Sequence, residues 1–328
     1  MASFKKQNKM DIKTVHRHVG KSLSEAIQDF LFHCQYEKSL NDKTLKAYKV
    51  DLRQFDEYLV NTLDKRKMED ISKEMVRSYL QCISNFKPKT IKRKIASLKA
   101  LLNYYEFEND DYINPFRKMS IHLKEPYVLP IVMNADEVEA ILSQLYKERS
   151  LNADIDKYSY KAQTRNIAII ELLFATGIRV SELCLLKCDD VDYIHGYIKI
   201  WGKGSKERLV QICSKDVLSI LKCYSQLFQP KDYFFVNRLG NVISSQSVRL
   251  LVKRYVNSLN LSKHITPHTF RHTFATLLLE EDVDIKYIQN LLGHSSIVTT
   301  QIYTHVNTNK LKEILSTKHP REKINIDL

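Results

Sequence analysis

Apolar residues recur at helical spacing through the first hundred residues of the chain. In residues 23–38 they stand at 23, 26, 27, 30, 31 and 34, the spacing that places one apolar stripe along an α-helix. The same spacing predicts helices over residues 43–60, 72–83 and 89–107, and the first 176 residues contain a single glycine, Gly20. Four helices with one apolar stripe each can bury those stripes against one another as a small bundle.

Prolines interrupt this helical pattern after the fourth predicted helix. Asn114-Pro115, Pro126 and Pro130 fall in an irregular stretch, and proline removes a helical hydrogen bond and favours extended chain. We therefore place an interdomain linker at residues 116–131. The resulting division of the chain is an N-terminal extension over 1–21, a helical domain over 22–115, and a second domain over 132–328 with a tail from about 308.

The second half of the chain mixes short β-type runs with helices. Residues 197–201 and 208–212 flank a glycine-rich turn at 202–207, which predicts a β-hairpin. The polar residues 146–165 are predicted to form a loop. Helices are predicted from residue 135 and over 166–175, 214–227, 245–259, 267–280, 284–292 and 296–304. The expected fold class is therefore mainly α, with a small β-sheet in a mixed but mostly helical second domain.

Composition narrows the class of protein. The chain has 328 residues, of which 44% are hydrophobic and 27% charged, as is typical of folded domains. The chain contains no uninterrupted run of about 18 apolar residues, so no membrane span is predicted. The basic N-terminus lacks the apolar core of a secretory signal. None of the six cysteines forms a CxxC pair, which favours reduced thiols in the cytoplasm. The net charge of +13 favours a polyanionic partner.

Basic residues are concentrated on two predicted N-terminal helices and in the hairpin. Between residues 86 and 105 there are six basic residues and no acid. A solvated helix face usually mixes signs, so this acid-free stretch favours contact with phosphate groups. The candidate DNA-binding residues are Lys43, Thr44, Lys46, Lys49, Arg53, Lys87, Lys89, Lys92, Arg93 and Lys94 on the helices, with Lys206 and Arg208 in the hairpin.

One short motif combines a helix start with groups suited to phosphate. Thr266-Pro267 predicts a cap followed by the first turn of a helix. His268 and Arg271 lie three residues apart and project from one side of these turns, where a helix N-terminus attracts anions. Arginine adds a planar fork for phosphate oxygens, and histidine can move protons near neutral pH. Taken alone, such a pair is a weak signal of function, because the same spacing also occurs by chance.

Four motifs follow one another in a fixed order. They read TGIRVSEL around Arg179, GKGSKER around Lys203, HTFRHTFAT around Arg271, and LLGHSSIVTTQIYTHV from His294 to Tyr303. Singly, they are explained by a surface arginine, a capping turn or a packing tyrosine. In this order they resemble the catalytic domain of the tyrosine recombinase (phage integrase) family, especially its Xer-type members. The N-terminal helices are similar to the SAM-like core-binding domain of that family.

The resemblance implies a transesterification at a DNA phosphate. Arg179 and Arg271 would clamp the non-bridging oxygens of the scissile phosphate, and Tyr303 would attack phosphorus. Lys203 would protonate the leaving 5′-oxygen, although other amines of the hairpin could reach it. The resulting 3′-phosphotyrosine preserves the bond energy, so a new 5′-hydroxyl could reverse the step without a nucleotide, a metal or any other cofactor.

The resemblance also implies the remaining roles and the partners. His268 would assist deprotonation of the tyrosine, and His294 would bond a phosphate oxygen. The expected partners are double-stranded DNA recombination sites and a homo-tetramer on DNA, or a hetero-tetramer with a related recombinase. No membrane partner is expected. Chromosome-dimer resolution and integration or excision of a mobile element both remain open.

The tail after Tyr303 carries an apolar stripe. Leu311, Ile314 and Leu315 share one predicted helical face, which needs either a neighbouring protomer or the chain's own core as its partner. Three other functions remain open at this point. They are a monomeric type IB topoisomerase with similar chemistry, a DNA-binding protein without catalysis, and a zinc protein using His268, His272 and His294.

Overall fold

The chain divides into two compact units, with the boundary between residues 127 and 128. The computed structural model describes residues 21–124, 130–151, 154–201, 207–293 and 308–324, without the side chains of 308–311 and 322–323. Within these ranges, no helix is both long enough and apolar enough to cross a membrane.

The first unit is a helical bundle. Its α-helices are Leu23–Phe32 (α1), Asp42–Leu63 (α2), Lys73–Cys82 (α3) and Pro88–Glu108 (α4), and α1 continues into a π-helix, His33–Glu37. Side chains of Ser22, Asn41 and Ser72 accept hydrogen bonds from backbone N–H groups of the first turns of α1, α2 and α3. The four helices predicted from apolar spacing are therefore confirmed.

The apolar stripes of these helices meet in one core, as their spacing predicts. Its fully buried members include Leu23, Leu52, Phe55, Leu59, Val76, Leu98, Leu101 and Leu102. Phe116 is buried in the same core, and the half-buried Met119, Ile121 and Leu123 pack against it. Met119, Ile121 and Leu123 alternate along an extended chain, so their side chains lie on one side of it. Residues 116–123, which belong to the predicted linker, therefore pack with the first unit.

The second unit is mostly helical and contains one small sheet. Its helices are Ala135–Leu151 (α5), Tyr158–Thr176 (α6), Val180–Cys184 (α7), Lys215–Phe228 (α8), Ser245–Ser258 (α9), Pro267–Glu280 (α10), Ile285–Leu292 (α11) and Thr308–Lys318 (α12). Strands Val191–Asp192 (β1), Tyr197–Trp201 (β2) and Glu207–Gln211 (β3) form an antiparallel sheet in the order β1-β2-β3. Ile198 pairs with Val210, and both side chains are buried. The predicted hairpin strands and fold class are confirmed, whereas the two-residue β1 was not predicted.

Helix α6 lies at the centre of the second unit, because α5, α8 and α10 pack around it. Every residue from 167 to 176 is buried. The helix ends at Gly177, which has a left-handed φ of 59°. A Cβ atom at this position would lie 2.6 Å from Cδ1 of Phe274. Glycine therefore allows α6 to turn within two residues into Arg179.

The loop predicted at residues 146–165 is wrong. Helix α5 continues to Leu151 and α6 begins at Tyr158, so only residues 152–157 separate the two helices. Gln163 and Tyr255 both donate hydrogen bonds to Glu148, at 2.8 and 2.7 Å. A helix whose inner face carries satisfied polar groups lacks the apolar spacing on which the prediction relied.

The tail packs against its own chain in this structure. On α12, Leu315 is buried in a cluster with Phe274, Leu278 and Leu292, and Ile314 is half-buried against the same cluster. The side chain of Leu311 lies outside the described residues. Two of the three residues predicted to dock on a protomer therefore have an apolar partner within the chain.

Residues after α12 anchor the tail to α6. The Arg321 guanidinium donates to both carboxylate oxygens of Glu171, at 2.9 and 3.0 Å, and the two side chains are 4% and 0% exposed. His319 Nε2 donates to the carbonyl of Ala175 at 2.5 Å, while its Nδ1 accepts from the Arg321 backbone N–H. Burial lowers the pKa of His319 to about 4, so the ring is neutral and can both donate and accept.

We predict that Arg321→Met lowers the free energy of unfolding by about 3–5 kcal/mol, because it leaves the Glu171 carboxylate buried without its cation. Urea unfolding of the full chain measures the change. Lys157→Met is the matched control, since its exposed ion pair with Asp154 is worth about 1 kcal/mol or less. Equal small changes in the two variants would show that the anchor contributes nothing in solution.

Candidate active site

Arg271 joins three helices at the predicted site. Its side chain lies on α10 and is buried, with one terminal nitrogen donating to the carbonyl of Gly177 at 2.8 Å and the other to that of Leu292 at 2.6 Å. These carbonyls stand at the C-terminal ends of α6 and α11, where helices carry unpaired acceptors and partial negative charge. Arg271 therefore fixes the ends of α6 and α11 against α10.

Arg179 approaches the same end of α11 from α7. It is the N-cap residue of α7, and its Nη1 donates to Glu182 at 2.8 Å while its Nη2 donates to the carbonyl of Gly293 at 3.3 Å. Its side chain is 34% exposed. A guanidinium has five N–H donors, and these contacts use two of them. The structure thus brings Arg179 and Arg271 together, as the four motifs in order predicted.

Glu182 holds the cations of this site in place, a role that the sequence analysis missed. Its two oxygens accept hydrogen bonds from Nη1 and Nη2 of Arg208, at 3.0 and 2.8 Å, in addition to those from Arg179. Burial raises the pKa of the Glu182 carboxyl, but the bonds from Arg208 and Arg179 outweigh burial and lower it. Its position three residues after Arg179 was the available signal.

The charge of the site suits an anion. Three guanidiniums, those of Arg179, Arg208 and Arg271, surround the single carboxylate of Glu182, so two positive charges remain uncompensated. Burial, followed by the charge of Arg179, lowers the pKa of Arg271 to about 10, which leaves it protonated at pH 7. The cluster can therefore bind a phosphodiester without a change of protonation.

His268 stands on the first turn of α10, beside this cluster. Its pKa is lowered by burial of the ring and then by the charges of His272, Arg271 and Arg249. The imidazole is therefore neutral at pH 7, and one ring nitrogen can accept a proton. Arg249 is an exposed residue of α9 that was not predicted, because its charge is the only signal that it has in the sequence.

Four predicted site residues lie outside the described residues: Lys203, Lys206, His294 and Tyr303. Strand β2 ends at Trp201 and β3 begins at Glu207, on either side of both lysines. Helix α11 ends at Gly293, immediately before His294 and where Arg179 and Arg271 bind its last carbonyls. Among the residues with a described position, no three His, Cys, Asp or Glu side chains gather as metal ligands.

A buried carboxylate organises the basic helices of the first unit. Asp51 on α2 forms an ion pair with Arg93 on α4 and accepts a hydrogen bond from Ser97 Oγ at 2.9 Å. Lys94 is 4% exposed, lies 3.5 Å from Asp51, and also donates to Gln54. Its amine is enclosed by protein groups, so the structure contradicts Lys94 as a DNA contact.

The other basic candidates of the first unit lie on its surface. Arg53 forms an exposed ion pair with Glu57, whereas the half-buried Thr44 donates to the side chain of Asn41 at 3.2 Å. The exposed candidates are Lys43, Lys46, Lys49, Arg53, Lys87, Lys89, Lys92 and Arg93. Their contact with DNA stays a prediction.

We predict that Lys89→Gln and Lys94→Gln separate the two kinds of lysine on α4. Lys89→Gln should weaken DNA binding and reduce the slope of log affinity against log salt by about one. Lys94→Gln should keep the wild-type slope but lower the unfolding temperature, since Asp51 loses a buried cation. Fluorescence anisotropy at several salt concentrations measures the slopes. An equal loss of slope in both variants would return Lys94 to the DNA surface.

Comparison with known proteins places this site in a family. Residues 132–310 match the model of the phage integrase family, and residues 27–109 match the model of the phage integrase N-terminal SAM-like domain. A protein of Agathobacter rectalis named tyrosine recombinase is 47% identical over 306 residues, which are 92% of this chain and 98% of that protein. The chain belongs to the phage integrase family.

Further relatives are of the Xer type. Tyrosine recombinase XerC of Thermodesulfovibrio yellowstonii is 35% identical, with 90% of this chain and 97% of that protein covered. The crystal structure of XerH site-specific recombinase, bound to a palindromic difH substrate in a post-cleavage complex, matches with a TM-score of 0.67 at 26% identity. That match covers 88% of this chain and 84% of XerH. The protein is a tyrosine recombinase of Xer type, so the predicted family and class of enzyme are confirmed.

Proposed function

We propose that this protein cleaves and rejoins double-stranded DNA at specific recombination sites through a 3′-phosphotyrosine formed by Tyr303. The observation that carries the proposal is the convergence of Arg179 and Arg271 on the last carbonyls of α11. From that point the chain runs on to His294 and Tyr303. The two arginines that would bind the phosphate therefore contact the end of α11, and the chain continues from that end to the nucleophile.

The two arginines would stabilise charge that grows on the phosphate during attack. Planar guanidinium groups bind two phosphate oxygens at once, and preorganised cations act most strongly where water is excluded. Arg271 is buried and Arg179 is partly buried, and both are held by protein carbonyls before any DNA binds. Little reorganisation would then be required when a phosphate enters.

Proton transfers complete the proposed reaction. A tyrosine hydroxyl has an ordinary pKa of about 10, so its attack needs a base. Neutral His268 would accept that proton as the bond from Tyr303 to phosphorus forms, and His294 would bond a phosphate oxygen. As the bond from phosphorus to the 5′-oxygen breaks, Lys203 would protonate the leaving group. The reverse sequence rejoins the strand.

We predict that Tyr303→Phe abolishes covalent linkage to DNA while DNA affinity stays within about threefold, since only one hydroxyl is lost and the arginine clamp remains. The assay uses DNA carrying the target site, nicked near the scissile phosphate so that cleavage is trapped, and detects adducts by denaturing electrophoresis. Tyr287→Phe on α11 is the matched control and should form the wild-type amount of adduct. An adduct formed by Tyr303→Phe would remove the nucleophile assignment.

We predict that cleavage at limiting DNA loses rate as the pH falls, with a midpoint below the ordinary histidine pKa of 6.5. The sign follows from the lowered pKa of His268, because the protonated ring cannot accept the tyrosine proton. Rates at limiting DNA report the free enzyme. His268→Asn should lack this acid limb and His272→Asn should keep it. Persistence of the limb in His268→Asn would assign it to another group.

We further propose assembly as a homo-tetramer on two DNA sites, or as a hetero-tetramer with a related recombinase, in the cytoplasm. The stripe of Leu311, Ile314 and Leu315 remains the candidate contact between protomers. Because Leu315 is already buried within its own chain, docking on a neighbour would require exchange of α12 between chains. Identical chains offer each tail an identical receptor, so exchange preserves the contacts. Gel shifts with DNA carrying two full sites would show whether four protomers assemble, or one protomer acts alone as a topoisomerase does.

A further inference from the structure

Arg208 is a basic residue of the hairpin whose charge is used within the protein. Its side chain is 17% exposed, and both terminal nitrogens donate to Glu182, at 3.0 and 2.8 Å. In such a bidentate ion pair the guanidinium and the carboxylate fix each other's orientation. Glu182 therefore holds Arg208 in place in this structure, and contact of Arg208 with a phosphate stays a prediction.

The same guanidinium lies against the end of α11. A Cβ atom built on Gly293 would stand 3.0 Å from Nε of Arg208 and 3.1 Å from its Cδ and Cζ. Gly293 also has a left-handed φ of 63°. Glycine at this position thus serves two needs, the turn that ends the helix and the close approach of Arg208.

These contacts connect three parts of the site. Arg208 is the second residue of β3, which follows Lys203 in the sequence and begins at Glu207. Through Glu182 it reaches Arg179, which in turn donates to the carbonyl of Gly293. Arg208 therefore touches the end of α11 directly and the phosphate clamp through one carboxylate.

We propose that Arg208 is a positioning residue for the strand-cleavage reaction. It holds Glu182 so that Arg179 keeps its orientation, and it fixes β3 against the end of α11. The orientation of Arg179 and the packing of β3 against the end of α11 thus depend on the same side chain. The proposal rests on the proposed function, since it assumes that Tyr303 attacks a phosphate bound by Arg179.

The test compares Arg208→Gln and Arg208→Lys with the wild type at saturating DNA, in single turnover. Displacement of a catalytic group by about 1 Å can cost about 100-fold in rate, so we expect both variants to cleave about 10- to 100-fold more slowly. Lysine keeps the positive charge but cannot form the bidentate pair of hydrogen bonds with Glu182. Lys222→Gln is the matched control, because it removes one positive charge from the exposed face of α8. DNA affinity and salt slope should match this control.

A neutral substrate separates positioning of the clamp from general loss of structure. A methylphosphonate at the scissile position carries no charge, so its cleavage depends less on Arg179. The defect of Arg208→Lys should therefore shrink at least several-fold on that substrate. An equal defect on both substrates, together with a lowered unfolding temperature, would show that Arg208 only supports the fold.

Two other results would overturn the proposal. Wild-type cleavage by Arg208→Lys would show that charge alone suffices, and Arg208→Lys carries the test if Arg208→Gln fails to fold. Wild-type cleavage by Arg208→Gln at saturating DNA, with a salt slope reduced by about one, would make Arg208 a phosphate contact. Failure of the wild type itself to form an adduct would instead count against the proposed function.

Discussion

The burial of the Arg271 guanidinium is the interaction on which the second unit's site depends. A buried charge is costly unless hydrogen-bond acceptors surround it. Here the acceptors are the terminal carbonyls of α6 and α11, at 2.8 and 2.6 Å. Because each helix would otherwise end with unsatisfied carbonyls, the cation and the two helix ends stabilise one another. This need for acceptors holds α10 against the ends of α6 and α11. In the sequence, Arg179 follows the end of α6 and Tyr303 follows the end of α11.

The remaining cations are arranged around this point by a single acid. Without Glu182, the guanidiniums of Arg179 and Arg208 would repel each other and Arg271 at close range. With it, two positive charges remain, and the cluster stays ionised while it is ready for an anion. The first unit has a similar arrangement, since buried Asp51 forms ion pairs with Arg93 and Lys94 between α2 and α4. In both units a buried carboxylate therefore pairs with basic residues of neighbouring elements.

The tail packs against the second unit through contacts with its own chain. Arg321 and Glu171 form a buried pair, and Leu315 completes an apolar cluster with residues of α10 and α11. These contacts join the chain after Tyr303 to α6, the helix that carries Gly177 at its end. The position of the tail and the geometry of the arginine clamp therefore depend on the same central helix.

The sequence by itself determined the helices with apolar stripes and the hairpin, because the spacing of apolar residues is a local property of the chain. The four motifs in order indicated the family, and the convergence of Arg179 with Arg271 was implied only by that resemblance. The sequence did not determine which cations face DNA. Lys89 and Lys94 cannot be distinguished from the sequence, yet when α4 packs on α2, Lys89 stays exposed and Lys94 is buried. Arg208 meets Glu182 across 26 residues and Arg321 meets Glu171 across 150. Periodicity shows which face of its own helix a residue occupies, whereas the partner of a buried charge is decided only when distant elements pack together.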